Sequence, residues 1–374
     1  MSKEFYDIRS VLSYDWAIFY FLLGGREAGK SYATTEFFVR QWKEKKRPFY
    51  WLRLTEASQK KLLNNKADKL IDPDIKRKYN LDITTSGDCV YEVTERDEKG
   101  KVVKKELMAR VMALSTFYND KGSGLFDKDF LDNPDMYYNI CLDEMNREAN
   151  EKNTFDIVYG FVNQLENLIR STKVRVRVIC IGNTLEEASD LLTAFNFLPE
   201  DFGRYKLVKN KKKLVQYIKE YKRANSPEEK KKINEKYKNI DFGKRAIIDY
   251  IEPSEEYKTR RKGTIADIVS PDSSTFTNEV KIDNTLITKK RLIKPTFIIK
   301  FDKDTMYTVW DGRVICPYNN EKVKVIAMRP SIDEVFDIKS RDTIIMTYNI
   351  RGFRFRTLIC SKLFKKSMIQ LGIK

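Results

Sequence analysis

Two short apolar runs flank a segment of helical character in the first third of the chain. Residues 17–23 (AIFYFLL) and 48–54 (PFYWLRL) have the length and composition of buried strands, and residues 30–42 between them favour a helix. Period-two stretches between residues 89 and 114 surround a turn-forming segment at residues 97–100 (DEKG). This order predicts a parallel β-α-β unit followed by an antiparallel hairpin.

The alternation of strands and helices continues further along the chain. Residues 137–142 (YYNICL) and 174–181 (VRVRVICI) are typical of buried strands, and residues 154–170 have helical spacing. Residues 184–187 (TLEE) form a capping box, which predicts the start of a further helix. We therefore predict an α/β domain over residues 1–200 with a mostly parallel sheet.

The pattern changes after residue 200. A second capping box at residues 226–229 (SPEE) lies between lysine-rich residues 209–213 and 230–232, which predicts a hairpin of two basic helices. Mixed, turn-rich sequence follows, so we predict a basic, partly helical linker over residues 201–294. Short strands recur from residue 295, which predicts a small α+β domain over residues 295–374.

Composition restricts the available chemistry. The chain of 374 residues contains no histidine, which excludes every histidine-based triad, general base and metal ligand. Its 5 cysteines include no CxxC pair, which disfavours a disulfide or zinc framework. No apolar run reaches the roughly 18 residues of a membrane helix, and the start (MSKE) lacks a signal-peptide pattern. We expect a globular protein of the cytoplasm with no membrane partner.

The charge balance favours a polyanionic partner. There are 71 basic and 54 acidic side chains, which give a net charge of +17. Nucleic acid is the leading candidate, because neutralising its phosphates releases counterions. A merely basic soluble protein fits the charge equally well.

A complete phosphate-binding pattern, GxxxxGK[ST], follows the first predicted strand and precedes the first predicted helix. Its residues are Gly24, Gly25, Arg26, Glu27, Ala28, Gly29, Lys30 and Ser31, with Tyr32 next in the chain. Glycines let backbone amides point at phosphate oxygens, and the positive end of the helix adds to this attraction. We predict that Lys30 bridges the β- and γ-phosphates of ATP and that Ser31 holds Mg²⁺.

An acidic pair follows a buried strand. Asp143 and Glu144 come directly after an apolar stretch (NICL), so they should lie at the carboxyl end of a parallel strand, where open α/β sheets bind ligands. We predict that Asp143 holds Mg²⁺ and that Glu144 activates the attacking water. Asn183 ends the next apolar strand, where it is either a sensor of the γ-phosphate or only a turn residue before a capped helix.

Basic residues crowd the segment before that strand, namely Arg170, Lys173, Arg175 and Arg177. We predict that they emerge at a subunit or nucleic-acid surface, with Arg175, and next Arg170, supplying an arginine to the active site of a neighbouring subunit. Further candidates for DNA or interface contact are Lys121, Arg260 and Arg261. A solvated lysine is the default for Lys121.

Two more arginines belong near the nucleotide on this topology. Arg26 lies inside the phosphate loop, and Arg53 ends the second predicted strand. Either contact with nucleotide or an ion pair with a nearby carboxylate, such as Glu27 or Glu56, satisfies the pattern.

Several stretches together resemble a family, the genome-packaging ATPases of small, protein-primed tailed phages. This phi-29-like group comprises compact relatives of terminase large subunits. The matching stretches are residues 12–15 (LSYD), residues 29–33 (GKSYA), Asp143-Glu144, Arg175-Val176-Arg177 leading to Asn183, and residues 195–199 (FNFLP). The resemblance covers residues 10–200 well and is thin beyond them.

The resemblance implies more than the residue patterns do. It implies a motor domain of the additional-strand P-loop class, joined by a linker to a carboxy-terminal domain with an RNase H-like fold. It also implies a ring of five subunits that drives double-stranded DNA into a procapsid through its portal, in the host cytoplasm, and it leaves a packaging RNA open as a further partner.

The carboxy-terminal domain is expected to be a vestigial, non-cutting one. Its acidic residues are Asp302, Asp304, Asp311, Glu334, Asp337 and Asp342, and none sits within an apolar strand run, as a two-metal nuclease site requires. Phe353 and Phe355 alternate with basic residues, which favours nucleic-acid or connector contact over an ordinary basic surface. The alternatives to packaging are a terminase-type endonuclease with an ancillary ATPase, a helicase-like remodelling ATPase, and a nucleotide-gated scaffold without turnover.

Overall fold

The structure is a computed structural model that divides into two compact units, one formed by residues 1–195 and 199–280 and the other by residues 196–198 and 281–374. It describes residues 6–25, 28–115, 137–146, 156–169, 176–182, 190–195, 197, 199, 202–252, 287–288, 290–330 and 336–373. Within these residues, no helix is long and apolar enough to cross a membrane.

The first unit is built on one sheet. Its strands are β1 (Phe19–Leu23), β2 (Phe49–Arg53), β3 (Ile83–Ser86), β4 (Cys89–Arg96), β5 (Val102–Ala113), β6 (Tyr138–Asp143), β7 (Val176–Gly182), β8 (Gly203–Leu207) and β9 (Ala246–Tyr250). Its helices are α1 (Arg9–Leu12), α2 (Lys30–Lys45), α3 (Glu56–Ala67), α4 (Pro73–Lys78), α5 (Ile157–Ile169), α6 (Asp190–Ala194), α7 (Lys211–Arg223) and α8 (Pro227–Tyr237).

The order of the strands in this sheet is β3-β4-β5-β2-β6-β7-β1-β9-β8. The run from β5 to β9 is parallel throughout, and the two ends of the sheet, β3-β4-β5 and β9-β8, are antiparallel. Strand β7 lies between β1, which leads into the phosphate loop, and β6, which leads into the acidic pair. This is the additional strand that the sequence analysis expected.

The central strands are buried on both faces. Phe21, Leu22 and Leu23 of β1 are 0% exposed, and Trp51 of β2 is 1% exposed. A parallel strand covered on both sides has no solvent face, so its sequence is a continuous apolar run. That is why β1, β2, β6 and β7 were recognisable in the sequence.

Residues 203–250 belong to the first unit. Strand β9 pairs parallel with β1 from Phe19 opposite Ala246 to Leu23 opposite Tyr250, and β8 pairs antiparallel with β9. The sheet therefore continues to Tyr250, beyond residue 201, where the linker was predicted to begin. The predicted hairpin of basic helices is present as α7 and α8, and the Ser226 hydroxyl accepts a hydrogen bond from the Glu229 amide at 3.1 Å, as a capping box requires.

Helix α3 ends in a strained turn. Asn65, Lys66 and Ala67 have φ values of 51°, 55° and 60°, so three consecutive residues other than glycine are left-handed. Lys76 Nζ donates to the Lys66 carbonyl and to Asp68 Oδ1, each at 2.6 Å. Lys76 therefore clamps a conformation that the backbone alone disfavours.

The second unit contains a smaller mixed sheet. Its elements are β10 (Pro295–Lys300), β11 (Met306–Trp310), β12 (Val314–Pro317), β13 (Lys324–Ala327), α9 (Ile338–Asn349), β14 (Arg354–Phe355) and α10 (Leu358–Gln370). The strand order is β13-β10-β11-β12-β14, with β10, β11 and β12 antiparallel and the two outer strands parallel to their neighbours. An α+β unit was predicted here, and its assignment as RNase H-like stays a prediction.

The aromatic residues of this unit form its core. Phe364 is 0% exposed, and the rings of Phe353 and Phe355 lie 6.1 Å and 5.8 Å from it, centroid to centroid. Phe353 and Phe355 are themselves 3% and 1% exposed. The prediction that these two rings contact nucleic acid or a connector was therefore wrong, because each is a core residue between exposed bases.

Candidate functional site

The phosphate loop connects the end of β1 to the start of α2. Gly24 has a φ of 154°, and a Cβ atom there would lie 3.2 Å from Ile251 Cβ and 3.3 Å from its carbonyl oxygen. Gly29 has a φ of 84° at the N-cap of α2. The pattern thus requires glycine at Gly24 for close approach to Ile251, the residue after β9, and at Gly29 for a left-handed cap.

Lys30 lies inside the loop. Lys30 is only 3% exposed, and its Nζ donates to the Gly24 and Gly25 carbonyls at 2.8 Å and 2.5 Å. Burial lowers the pKa of Lys30 to about 8, and the Asp143 carboxylate acts in the opposite direction. A buried ammonium next to the loop can neutralise phosphate charge with little competition from water.

Ser31 and Asp143 meet across the sheet. Ser31, at the start of α2, donates from Oγ to Asp143 Oδ1 at 3.2 Å, and Asp143 is 5% exposed at the end of β6. The pKa of Asp143 is raised, chiefly because burial disfavours its charge. A hydroxyl and a carboxylate are the hard oxygen donors that Mg²⁺ prefers, so the two residues fit the predicted magnesium site.

Arg53 bridges the acidic pair. Arg53 Nη2 lies 2.9 Å from Asp143 Oδ2, and its Nη1 forms an ion pair with Glu144 Oε2. The side chain of Arg53 is 12% exposed, that of Asp143 is 7% exposed and that of Glu144 is 49% exposed. A buried guanidinium thus holds a buried carboxylate and a half-exposed one together at the end of β6.

The partners of Arg53 differ from those that the sequence suggested. An ion pair with a local carboxylate such as Glu56 was one predicted alternative, whereas the partners are Asp143, at the end of β6, and Glu144, directly after it. Strand β2 pairs with β6 up to Leu52 opposite Leu142, so Arg53 and Asp143 follow at the same level. Glu144 has a φ of 57°, and this turn brings its side chain back to Arg53.

Arg177 is the one residue of the basic segment before Asn183 that the described part of the chain includes. Its Nη1 donates to Asn139 Oδ1 at 3.0 Å, and its Cζ lies 4.9 Å from the Phe37 ring centroid. Burial lowers the pKa of Arg177. Its role at a DNA or subunit surface stays a prediction, as do those of the candidates outside the described residues: Arg26, Glu27, Lys121, Arg170, Lys173, Arg175, Asn183, Arg260 and Arg261.

Comparison with solved structures identifies the fold. The phi-29 bacteriophage viral genome packaging motor assembly contains a chain that aligns with a TM-score of 0.60 at 19% identity, over 97% of this chain and 99% of that one. The phi-28 gp11 DNA packaging motor aligns with a TM-score of 0.53 at 13% identity, over 100% and 99%. The chain has the packaging-motor fold.

The packaging-motor fold extends over both units, because each alignment covers nearly the whole chain. The resemblance noted in the sequence, which was thin beyond residue 200, is thereby confirmed at the level of the fold. No protein-family model matches the chain, and neither does any curated protein.

Proposed function

We propose that this chain is the ATPase of a motor that drives double-stranded viral DNA into a procapsid. The observation that carries the proposal is the convergence of Lys30, Ser31, Asp143 and Glu144 at the carboxyl ends of β1 and β6, in a chain with the packaging-motor fold. The amino-terminal end of α2 faces the same place, so backbone amides are available for phosphate oxygens.

The chain's own residues divide the chemistry among them. Lys30 binds the phosphates of ATP, and Ser31 and Asp143 hold Mg²⁺, which neutralises phosphate charge when bound. Glu144 orients the attacking water and accepts its proton. Arg53 is paired with Glu144, so this pair must open, or shift towards Asp143 alone, before Glu144 serves as the base.

The further partners rest on the resemblance. We propose that the subunits form a ring, with five as the implied number, and that Arg175 or Arg170 of one subunit completes the site of its neighbour. The ring acts at the portal vertex of the procapsid in the host cytoplasm, and a packaging RNA is a candidate scaffold. Contacts with DNA are mainly to phosphates, so little sequence preference is expected.

We propose that the second unit does not cut DNA. Two of its described carboxylates serve a turn and a helix cap: Asp302 accepts the amides of Asp304 and Thr305, and Asp337 caps α9. The described residues contain no group of three or more possible metal ligands. Incubating the full chain with linear DNA and Mg²⁺ or Mn²⁺ tests this, since cleavage would favour the terminase-type endonuclease.

The Glu144→Gln variant tests the ATPase. It preserves the size and hydrogen-bonding capacity of the side chain and removes its basicity, so we expect hydrolysis to fall at least about 100-fold while ATP stays bound. Glu56→Gln on the exposed start of α3 is the matched control and should retain activity. Phosphate release should be measured with and without DNA at high protein concentration. If the unmodified chain hydrolysed no ATP under any of these conditions, the motor hypothesis would fail and the nucleotide-gated scaffold would be favoured.

A further inference from the structure

The end of the first sheet at which its parallel strands begin, opposite the nucleotide site, carries a row of cations and tyrosines. We call this row the basic edge. It consists of Tyr14, Arg47, Tyr137, Arg177, Lys206 and Lys222. Arg47 precedes β2, Tyr137 precedes β6 and Arg177 is the second residue of β7. Because neighbouring strands here are parallel, these residues line up where the strands begin, and Asp143 and Glu144 lie where β6 ends.

Tyr137 collects three cations. The Arg177 and Arg47 Cζ atoms lie 4.7 Å and 5.5 Å from its ring centroid, and the Lys222 Nζ lies 5.8 Å from it. Lys222 Nζ also donates to the Tyr137 hydroxyl at 3.3 Å. The ring contributes attraction to each cation but no negative charge, so three positive groups accumulate around one neutral side chain.

Tyr14 repeats this arrangement on the other side of β1. Lys206 Nζ lies 4.5 Å from its ring centroid, and Arg204 Cζ lies 6.0 Å away. Arg204 is also paired with Asp249 at 3.0 Å, which satisfies its charge. Lys206 is also exposed and forms no ion pair among the described residues, and its hydrogen bond with Tyr14 is the main cause of a lowered pKa of the Tyr14 hydroxyl.

Three cations of the basic edge, Arg177, Lys206 and Lys222, have few carboxylate partners among the described residues. Lys222 has one weak partner, Asp15 Oδ2 at 4.0 Å. Among the described residues, Arg177 and Lys206 form no ion pair, and the buried Arg177 Nε has no hydrogen-bond partner. A guanidinium removed from water without an anion is costly, so the edge is better suited to binding an anion than to standing alone.

The shape of the surrounding charge indicates what kind of anion. Lys222 lies near the end of α7, whose exposed bases are Lys211, Lys212, Lys213, Lys219, Lys222 and Arg223. The single carboxylate on this helix is that of Glu220. A helix of 13 residues is about 20 Å long, so the positive surface extends well beyond the reach of one acidic side chain. Regularly spaced phosphates match such a surface, and aromatic rings between cations are typical of nucleic-acid contacts.

We infer that the basic edge, together with the exposed lysines of α7, binds the phosphodiester backbone of a nucleic acid. The inference rests on the proposed function for the choice of a nucleic acid as the polyanion. DNA and RNA share this backbone chemistry, so the experiment must distinguish them. Tyr137 directly precedes β6 and Asp143 ends it, so the two residues lie about 20 Å apart along a strand of 6 residues, and this surface is separate from the nucleotide site.

The test compares two double variants of the full chain. Lys206→Ala with Lys222→Ala removes the two exposed cations of the basic edge, and Lys99→Ala with Lys101→Ala removes the same charge from the exposed turn between β4 and β5. Fluorescence anisotropy with duplex DNA and duplex RNA of about 40 base pairs should be recorded without nucleotide, between about 50 and 200 mM salt. Thermal melts establish that all proteins are folded.

We expect the edge variant to bind at least about fivefold more weakly, with the slope of log K against log salt reduced by about 2, and the control to stay within about twofold. A loss with DNA alone, RNA alone or both supports the inference and identifies the source of the phosphates. Equal affinity of both variants for both duplexes overturns it. The inference is also overturned if sedimentation velocity shows that the edge variant loses only subunit association. ATP hydrolysis without nucleic acid should match in all three proteins, so a failure of the proposed function would be visible separately.

Discussion

At the residue scale, Arg53 joins the two carboxylates of the acidic pair. Asp143 and Glu144 are adjacent in sequence, and without the guanidinium between them two carboxylates would repel each other beside a buried site. The raised pKa of Asp143 indicates that burial already disfavours its ionised form even with Arg53 present. The two carboxylates are therefore stable as part of a triad with Arg53 rather than as independent groups.

Replacement of Arg53 by alanine should destabilise the first unit. It leaves the Asp143 charge buried without its partner, and we expect a loss of about 3 kcal/mol, since half-exposed Glu144 contributes little. Arg77→Ala is the matched control, because Arg77 pairs with Asp74 on an exposed surface and should matter by less than about 1 kcal/mol. Urea unfolding measures both variants, and equal losses would contradict a special role for the triad.

The lowered pKa of Lys30 should make both the stability of the protein and its affinity for ATP depend on pH. A lysine whose folded pKa is lowered is penalised while it is charged, so its cost to stability is fully present below about pH 8 and is relieved as the pH rises towards its ordinary 10.5. In the proposed function, the charged form of Lys30 binds the phosphates of ATP. We therefore expect ATP affinity to fall as the pH rises above about 8.

Titration of a fluorescent ATP analogue from about pH 7 to 9.5 checks this, with Lys30→Arg as the control. The arginine keeps its charge over the whole range, so its affinity should stay flat even where it is weaker. The same decline in both proteins would show that another group is responsible.

At the element scale, the left-handed turn of α3 is the clearest departure from local preference. Lys66 has a φ of 55°, a region that costs most residues about 1–2 kcal/mol and glycine almost nothing. Lys61 lies earlier in the same helix, in its regular and exposed part. The same substitution by glycine should therefore affect the stability of the protein differently at the two positions.

We expect Lys61→Gly to destabilise the protein by about 1 kcal/mol and Lys66→Gly to be neutral or stabilising, because the relief of strain offsets the added chain entropy. Thermal or urea unfolding gives both values with the same loss of charge. A Lys66→Gly variant as unstable as Lys61→Gly would mean that residue 66 is not left-handed in solution.

An element or site could be predicted from the sequence where a short local pattern determines its geometry. The phosphate loop and β6 with its acidic pair are short patterns with a fixed local geometry, and both were predictable. The pairing of Arg53 with Asp143 depends on β2 and β6 being neighbours, which no local pattern states. The inclusion of β8 and β9 in the sheet is likewise a long-range pairing, so no local pattern indicated that the sheet continues beyond residue 200.

At the scale of the whole molecule, the excess of positive charge is distributed unevenly over features with different roles. Arg53 is neutralised inside the site, Arg204 is paired with Asp249, and the bases of α7 are exposed. The net charge of +17 predicted a polyanionic partner but not where it binds. That information depends on which cations have carboxylate partners, and this emerges only when strands distant in sequence are brought together.

If a neighbouring subunit supplies an arginine, as we propose, two inactive variants should restore each other's activity in one assembly. A subunit with Arg175→Ala keeps its own Lys30, Asp143 and Glu144, and one with Glu144→Gln keeps Arg175 but cannot activate water. Each variant alone should be nearly inactive. In a ring with head-to-tail contacts, a working site forms where an Arg175→Ala subunit receives Arg175 from a neighbouring Glu144→Gln subunit. Random mixing at equal amounts produces this order at about a quarter of the sites, so we expect about a quarter of the normal rate.

Mixing Glu144→Gln with Lys30→Met is the control, since both proteins lack a working site of their own and no arrangement of subunits repairs it. The measured quantity is phosphate release per subunit at rising total concentration, because ring formation should make the unmodified chain more active per subunit as well. Rescue by Arg170→Ala subunits but not by Arg175→Ala subunits would assign the role to Arg170. Without rescue by either, the site must be completed within one subunit, and the rate per subunit would then stay constant on dilution.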